Sequence, residues 1–300
     1  MECKRKIPGG DERAGTGRGA PDRLAAVRRF APHGWLGLVL AGAYWYLSWT
    51  LPGPRTHLLF FPLWLGYVLV VDALVLARTG TSLLQRSRRD TVALFAASVP
   101  AWWLFELLNE RLGNWRYVGG EELSTVQYAL LASLSFSTVI PAVFESAELV
   151  RSFRWTERFR AGPRVADSAA WRLVYVAAGA VMLALFLAWP RRFYPLCWLS
   201  LVFLLDPAAR CLGRPSLLGR LRRGDWRPVV GLALGALLCG VFWELWNWRS
   251  YPKWVYHTPG WDFWHVFEMP LFGYLGYLPF GLELYPLAHL LLPWRPRVRV

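Results

Sequence analysis

Long apolar runs recur along this chain and limit what it can fold into. A helix needs about 20 apolar residues to cross a bilayer, and within lipid only helices and closed barrels pair all their backbone groups. With 55% hydrophobic residues in 300, the chain is also too apolar for one soluble core. We therefore predict an all-α, polytopic membrane helical bundle. Its eight predicted spans lie near residues 35–51, 58–77, 91–109, 124–150, 171–189, 193–209, 227–248 and 263–292.

The eighth run contains Pro270 and Pro279. Proline removes a backbone donor and disfavours a helix interior. We expect a kink in this run, or an interfacial segment before the span proper.

The distribution of Lys and Arg predicts the orientation of the spans. If successive runs alternate in direction, 27 of the 34 basic residues fall on one side. Basic loops stay in the cytoplasm, so we expect both termini there, with the protein in the cell inner (plasma) membrane. The net charge of +14 then needs no nucleic acid as a partner, because the arginines lie in short clusters between apolar runs.

The segments between and around the runs predict the domain organisation. Residues 1–32 are polar, glycine-rich and basic, which is typical of a disordered cytoplasmic tail, and residues 294–300 form a second basic tail. Residues 151–170 interleave arginine with Phe153, Trp155 and Phe159, which predicts an amphipathic linker on the anionic cytoplasmic leaflet. No cysteine spacing or cofactor motif indicates a metal or a cofactor.

An internal duplication divides the chain. The residues from Pro62 resemble those from Pro195, and WWLFELLNE resembles GVFWELWNW. The offset stays between 133 and 139, which chance matches would not do. We predict two parallel four-helix repeats, at 33–150 and 171–293. The equivalent pairs are Asp72 and Asp206, Glu106 and Glu244, Asn109 and Asn247, Trp115 and Trp254, Tyr117 and Tyr256, and Glu145 and Glu283.

Carboxylates within apolar runs are costly, so each one indicates a candidate site. Three i, i+3 pairs fall near the predicted outer face, and the members of such a pair share one helical face. A twofold relation between the repeats would bring the first two pairs together, where desolvated acids can donate protons or hold a cation. The pairs are Glu106 with Asn109, Glu244 with Asn247, and His265 with Glu268.

These pairs and the aromatic residues after them form our predicted site. We predict catalytic roles for Glu244, Glu268 and Glu106. The predicted substrate-binding residues are Asn247, Asn109, His265, Trp254, Tyr256, Trp115 and Tyr117. A structural alternative pairs the outer acids with Arg111, Arg249 or the backbone.

The two halves differ at one pair. His265 and Glu268 correspond to Gln127 and Leu130, so only the second half carries these titratable groups. This asymmetry predicts that the second half carries the chemistry. A metal bound by His265, Glu268 and Glu244 is a weaker alternative, because a lone histidine is commonly just a hydrogen-bonding residue.

Two further groups of residues have simpler interpretations. For the inner acids Asp72, Asp206, Glu145 and Glu283 we favour structural pairing with loop arginines, and a two-gate transport path is the alternative. The arginines in question are Arg78, Arg86, Arg151, Arg210 and Arg220.

Nine tryptophans near the outer face predict an aromatic belt, with a minority lining a ligand pocket. They are Trp102, Trp103, Trp115, Trp243, Trp246, Trp248, Trp254, Trp261 and Trp264.

The order Glu244, Asn247, Trp254, Tyr256 and Glu268 resembles the small membrane lycopene cyclases of carotenoid synthesis. The resemblance covers about 40 residues of the second half and is fainter in the first. FEMP, at 267–270, has one acid before the proline, where that family has a proline followed by two acids. The resemblance implies an isoprenoid-like substrate and acid-assisted carbocation chemistry, with Glu268 and Glu244 as the acids.

Three functions remain open from the sequence. The favoured one is an outer-leaflet acidic and aromatic pocket that binds or transforms a lipid-like molecule, of which an isoprenoid is one candidate, with membrane lipids and a hydrophobic small molecule as partners. A transporter that uses paired carboxylates is the second. A membrane scaffold or sensor without catalysis is the third.

Overall fold

A computed structural model describes residues 30–119 and 122–300 as a mostly helical protein. The predicted disorder of the N-terminal tail falls mainly on residues 1–29, which lie outside the described residues. Five helical segments are long and apolar enough to cross a membrane, which confirms the coarse prediction of a helical membrane-type fold. They are Thr56–Thr79, Arg88–Leu112, Thr125–Arg151, Ala169–Ala188 and Arg227–Trp248.

Each of the eight predicted runs contains a helix. In chain order the helices are α1 (Pro32–Thr50), α2 (Thr56–Thr79), α3 (Leu83–Arg86), α4 (Arg88–Leu112), α5 (Thr125–Phe136), α6 (Val139–Arg151), α7 (Ala169–Ala188), α8 (Pro190–Phe193), α9 (Pro195–Cys211), α10 (Leu217–Leu221), α11 (Arg227–Trp248) and α12 (Tyr277–Leu291). Short 3-10 helices cover Arg154–Phe159 and Leu271–Gly276. The eighth run is helical mainly in its second part, because extended chain and a 3-10 turn precede α12.

Four short strands depart from the all-α prediction. They are β1 (Trp115–Val118), β2 (Lys253–Tyr256), β3 (His265–Val266) and β4 (Met269–Pro270). β1 pairs antiparallel with β2, and β3 with β4. In the first sheet Trp115 lies opposite Tyr256, and Tyr117 lies opposite Trp254. The WRY and WVY segments, which the sequence treats as equivalent linkers, therefore join the two halves of the chain.

Local sequence signals set the helix ends. Ser87 caps α4 by accepting a hydrogen bond from Asp90 N, and Ser124 forms a capping box with Gln127 at the start of α5. α4 ends at Gly113, whose φ of 67° lies in the left-handed region that glycine adopts readily. This turn leads the chain directly from α4 into β1.

Close helix packing builds the bundle. α1 packs along α2, α11 against α6 and α12, and α7 against α9. A Cβ on Gly66 would lie 2.6 Å from Ala41 N, and one on Gly235 would lie 2.6 Å from Ala147 N. Only glycine allows these backbones so close together.

Two ends of the bundle can be distinguished. The strand end carries β1–β4 and the turns at 51–55 and 189–194, and Arg55 there donates to Arg249 O at 2.9 Å. The tail end carries the loops at 80–87, 152–168 and 212–226 and the C-terminal residues 292–300. The C-terminal tail is packed rather than extended, since Trp294 Nε1 and Arg297 N donate to the Asp90 carboxylate at 2.8 and 2.9 Å.

The linker 151–170 is also packed at the tail end. It contains the 3-10 helix and holds the loop before α11, through Trp226 N to Phe159 O at 2.9 Å and Gly162 N to Gly224 O at 2.8 Å. Phe153 and Trp155 remain exposed, as an amphipathic linker requires. Contact with a lipid leaflet stays a prediction.

Candidate functional site

An aromatic pocket of about 190 Å³ lies between the two halves at the strand end. Its lining is mostly aromatic, and Lys253 is the only permanently charged residue among the described residues that form it. The aromatic lining residues are Phe60, Trp102, Trp115, Tyr117, Tyr128, Phe136, Trp198, Trp243, Trp254, Tyr256, Tyr277 and Phe280. Both WRY and WVY therefore contribute to one cavity, through the strand pair that joins them.

Glu106 lies behind the part of this lining that the first half supplies. Its Oε1 accepts hydrogen bonds from Tyr117 OH at 2.6 Å, Trp102 Nε1 at 2.8 Å and Trp115 Nε1 at 3.3 Å. All three donors line the pocket. The half-buried Glu106 carboxylate thus orients three ring edges without lining the cavity itself.

Glu244 occupies the corresponding place behind the second half and is fully buried. Its Oε1 accepts hydrogen bonds from Tyr256 OH and Tyr277 OH, both at 2.7 Å. Its Oε2 meets no donor in hydrogen-bond geometry among the described residues, although the Trp254 side chain also interacts with the carboxylate. Three aromatic residues of the pocket lining therefore share the Glu244 carboxylate.

Asn109 and Asn247 hold the strands that carry the aromatic residues. Asn247 Nδ2 donates to Trp254 O at 2.7 Å, and its Oδ1 accepts from Trp254 N at 3.0 Å. Asn109 makes the same two contacts with Trp115, at 2.8 and 3.3 Å. Both amides act on the backbone outside the pocket lining, whereas our sequence analysis assigned them to substrate.

Glu268 and His265 do not share a helical face, contrary to the i, i+3 expectation. His265 lies in β3, and Glu268 follows in the turn before β4. Glu268 forms an ion pair with Lys253, and the exposed His265 has its Nε2 3.1 Å from Asp262 Oδ1. Neither lines the pocket. Over the described ranges no group of three or more His, Cys, Asp or Glu side chains is placed to hold a metal ion.

The arginine partners expected for the outer acids are engaged elsewhere. Arg111 Nε donates to Leu187 O at 2.8 Å, and the Arg249 guanidinium lies over the rings of Trp49 and Trp248. Tyrosine and tryptophan, rather than arginine, are the partners of Glu106 and Glu244.

The predicted partners of the inner acids are also wrong. Asp72 lies 2.9 Å from His33 Nε2 and accepts from Leu84 N, and Asp206 accepts from Leu217 N and Leu218 N. Glu145 and Glu283 are buried; Glu145 interacts with the Asp72 carboxyl, whereas the Glu283 oxygens have no hydrogen-bond partner among the described residues. The arginines instead bind other groups, since Arg86 pairs with Glu148, Arg210 with Asp167 and Arg220 with Asp225.

The tryptophans divide into a buried group and an exposed group. Trp115, Trp243 and Trp246 are buried, and Trp102 and Trp254 line the pocket. Trp248, Trp261 and Trp264 are exposed, Trp264 by 71%. An interfacial belt therefore fits this smaller exposed group, whereas packing and pocket lining explain the others.

Several lining residues were missed by the sequence analysis. Tyr277 is the most important, because its hydroxyl bonds Glu244. Applying the 138-residue offset places Val139 at the equivalent position. The same asymmetry test that selected Glu268 would have selected this tyrosine. Trp102 stands one helical turn before Glu106, where an i, i+4 contact is expected.

Comparisons with protein-family models, curated proteins and solved structures found no match to this chain.

The arrangement favours two kinds of ligand chemistry. An aromatic and aliphatic lining accommodates an apolar molecule, and ring faces stabilise positive charge. The carboxylates accept the ring N–H and O–H groups, which makes those rings more electron-rich. An apolar molecule that becomes positively charged for a moment during a reaction suits both the apolar lining and the electron-rich rings.

Proposed function

We propose that this protein is a polytopic inner-membrane protein with eight spans in two parallel repeats and both termini in the cytoplasm. The five long apolar helices support the membrane location. Helices in the other three runs, and the cross-pairing of WRY with WVY, support the two-repeat arrangement. On this proposal the strand end faces outward, and the basic loops of the tail end face the cytoplasm.

We further propose that the pocket binds a lipid-like, isoprenoid-type molecule and isomerises or cyclises it. The observation that carries this proposal is the aromatic pocket whose rings are held by one carboxylate from each half. The residues that resemble the lycopene cyclases include Glu244, Trp254 and Tyr256, which lie together in this site.

A proton relay through Glu244 would supply the reaction. The Tyr277 or Tyr256 hydroxyl, which lines the pocket and bonds Glu244, donates a proton to a carbon–carbon double bond. Glu244 replaces that proton. The resulting cation is stabilised by ring faces, forms its new bond, and then returns a proton to the same relay. The product is an isomer of the substrate, so no oxidant or reductant is required.

Native mass spectrometry of protein extracted gently from its own membrane tests binding. Ala132 lines the pocket, and an Ala132→Trp variant would fill it, whereas Leu130 points outward from the same helix and is 68% exposed. The wild type and Leu130→Trp should retain a specific apolar molecule that Ala132→Trp lacks. Equal retention in all three would contradict binding in this pocket.

A transporter is the second candidate, and the inner acids favour it. Glu145 and its equivalent Glu283 are both buried, and Glu145 lies beside the Asp72 carboxyl, which is an arrangement expected of proton-carrying groups in a membrane path. Proton uptake into liposomes that Glu283→Gln abolishes and Ala132→Trp leaves intact would select transport over the enzyme.

A further inference from the structure

A second cavity, of about 280 Å³, lies at the tail end, away from the aromatic pocket. It is formed by the residues between α9 and α11, by α12 and by the C-terminal tail. Its lining includes five arginines and, within 30–119 and 122–300, no carboxylate. The arginines are Arg210, Arg214, Arg220, Arg222 and Arg223. Orientation in the membrane explains basic loops, but it does not require five arginines around one concave site.

Buried carboxylates behind the cavity fix its shape. Asp206, which is 4% exposed, accepts hydrogen bonds from Leu217 N at 2.6 Å and Leu218 N at 2.8 Å. Asp167 accepts from Arg210 Nε and Arg172 Nη1, both at 2.8 Å. Burial opposes ionisation of Asp167, but these arginine bonds outweigh it and hold the pKa of Asp167 below its usual value. The loop and Arg210 are thus held in place before any ligand arrives.

The other arginines retain donors for a ligand. Arg220 Nη1 is 3.6 Å from Asp225 Oδ2, but Asp225 already binds Arg227 with both oxygens. Within the part of the chain that the structure describes, the Arg214 side chain makes one hydrogen bond, of 3.3 Å to Leu292 O. The positive charge of the arginines that line the cavity is therefore only partly compensated by neighbouring residues.

Two buried polar residues of α12 also line the cavity. His289 is 1% exposed and Tyr285 is 6% exposed. His289 Nδ1 lies 2.7 Å from Tyr285 O. A carbonyl can only accept, so Nδ1 carries the hydrogen, and Nε2 of the neutral ring is an acceptor that can take a hydrogen bond only from a protonated ligand oxygen.

At the tail end of the first half, the charge of the arginine equivalent to Arg220 is neutralised by a carboxylate. Arg86, the equivalent of Arg220, binds Glu148 and donates to Arg297 O. Glu148 also accepts from Arg299 N, so the C-terminal tail seals this face. The 138-residue offset places Pro286 at the position of Glu148 in the second half. The second half therefore lacks an equivalent of Glu148, and Arg220 instead makes the longer 3.6 Å contact with Asp225.

We propose that this tail-end cavity binds a phosphate group, as a phosphomonoester or a diphosphate. Several guanidinium forks around one concave site match the oxygen geometry of phosphate, and they bind it more strongly than neutral donors do. The Tyr285 hydroxyl supplies a further donor. The group belongs either to a soluble phosphate compound or to the head of an anionic lipid, and the site does not depend on the aromatic pocket.

Two measurements on the full-length protein distinguish these sources. Isothermal titration in neutral detergent measures binding of inorganic pyrophosphate. Native mass spectrometry from nanodiscs of mixed phosphatidic acid and phosphatidylcholine measures retained lipid. Arg214→Gln/Arg220→Gln should weaken binding by about tenfold or more. Arg191→Gln/Arg192→Gln removes the same charge from the exposed turn at the strand end and should leave binding unchanged.

Each outcome decides the proposal. Pyrophosphate binding that the cavity variant loses supports a soluble phosphate ligand. Retention of phosphatidic acid alone, lost in the same variant, supports a lipid head. If the cavity variant unfolds, the exposed Arg223→Gln serves instead and should weaken binding by about threefold. Absence of binding in both assays, or equal loss in the Arg191→Gln/Arg192→Gln control, would overturn the proposal.

Discussion

Glu106 and Glu244 occupy equivalent places in the two halves, yet they are satisfied differently. Glu106 takes all three donors from its own half, one of them Trp102 on its own helix. The 138-residue offset places Gly240 at the position of Trp102. A Cβ on Gly240 would overlap the ring of Tyr277, so the glycine makes room for a donor from α12.

This difference shows how two similar sequence motifs can take on two roles. The first half closes its acid within a local set of hydrogen bonds. In the second half, Glu244 binds a hydroxyl from another helix, that of Tyr277, and is fully buried. We infer that the half-buried Glu106 mainly orients the aromatic lining, whereas the fully buried Glu244 serves the chemistry.

The largest expected effect separates the two acids. Glu244→Gln keeps a hydrogen-bond acceptor for Tyr256 and Tyr277 but removes the exchangeable proton, so turnover should fall about 100-fold. Glu106→Gln should lower it by less than about tenfold, because its role is to hold rings. The molecule retained by Glu244→Gln can be supplied to each variant, with the isomeric product followed by chromatography. Equal losses would remove the distinction between the halves.

The next effect concerns Asn247 and Asn109, the two amides that bind the strand backbone. Asn247→Ala leaves the Trp254 N–H and C=O without their partner in a buried site, and we expect a loss of about 3 kcal/mol in the free energy of unfolding. Asn109→Ala should cost about 1.5 kcal/mol, since Asn109 is only half-buried. Denaturant unfolding in detergent measures both, and a larger loss in Asn109→Ala would contradict the proposed asymmetry.

The glycine difference can be tested directly. Gly240→Ala forces Tyr277 away from Glu244, and we expect a loss of about 2 kcal/mol in stability together with reduced turnover. Gly42→Ala is the matched control, because a Cβ there meets no atom within 4 Å. It should raise stability by up to about 1 kcal/mol and leave turnover unchanged. Normal turnover in Gly240→Ala would show that the Tyr277 contact is dispensable.

The smallest effect is expected at Glu268. Its partly exposed ion pair with Lys253 should contribute less than about 1 kcal/mol, so Glu268→Gln should unfold nearly as the wild type does. Turnover in the same variant tests its predicted catalytic role. A loss as large as that of Glu244→Gln would place Glu268 beside Glu244 as an acid.

Much of the helical framework could be predicted because apolar runs need lipid or a core. The equivalence of Glu106 and Glu244 followed from their identical local patterns. Tyr277 was missed because its contact with Glu244 joins residues 33 positions apart, which no helical periodicity reveals. The predicted helix at His265 and Glu268 was wrong because a β3–β4 hairpin replaces the first turns of the expected span.

The inner acids show the same limit. Arginines near Asp206 in sequence predicted ion pairs, but the backbone amides of Leu217 and Leu218 lie closer to its carboxylate. Such backbone capping depends on the fold of the whole loop. The first-half and second-half loops share it, since Leu84 N caps Asp72 in the same way.

Photocrosslinking most directly tests the claim that the carboxylate-held aromatic pocket is a ligand site. A diazirine-bearing isoprenoid analogue would be irradiated with the protein in nanodiscs, and labelled peptides would be mapped by mass spectrometry. We predict labels concentrated on α5, β2 and the start of α12, absent in Ala132→Trp and retained in Leu130→Trp. Labels spread evenly over the exposed faces of α1 and α7, and unchanged in Ala132→Trp, would contradict the account.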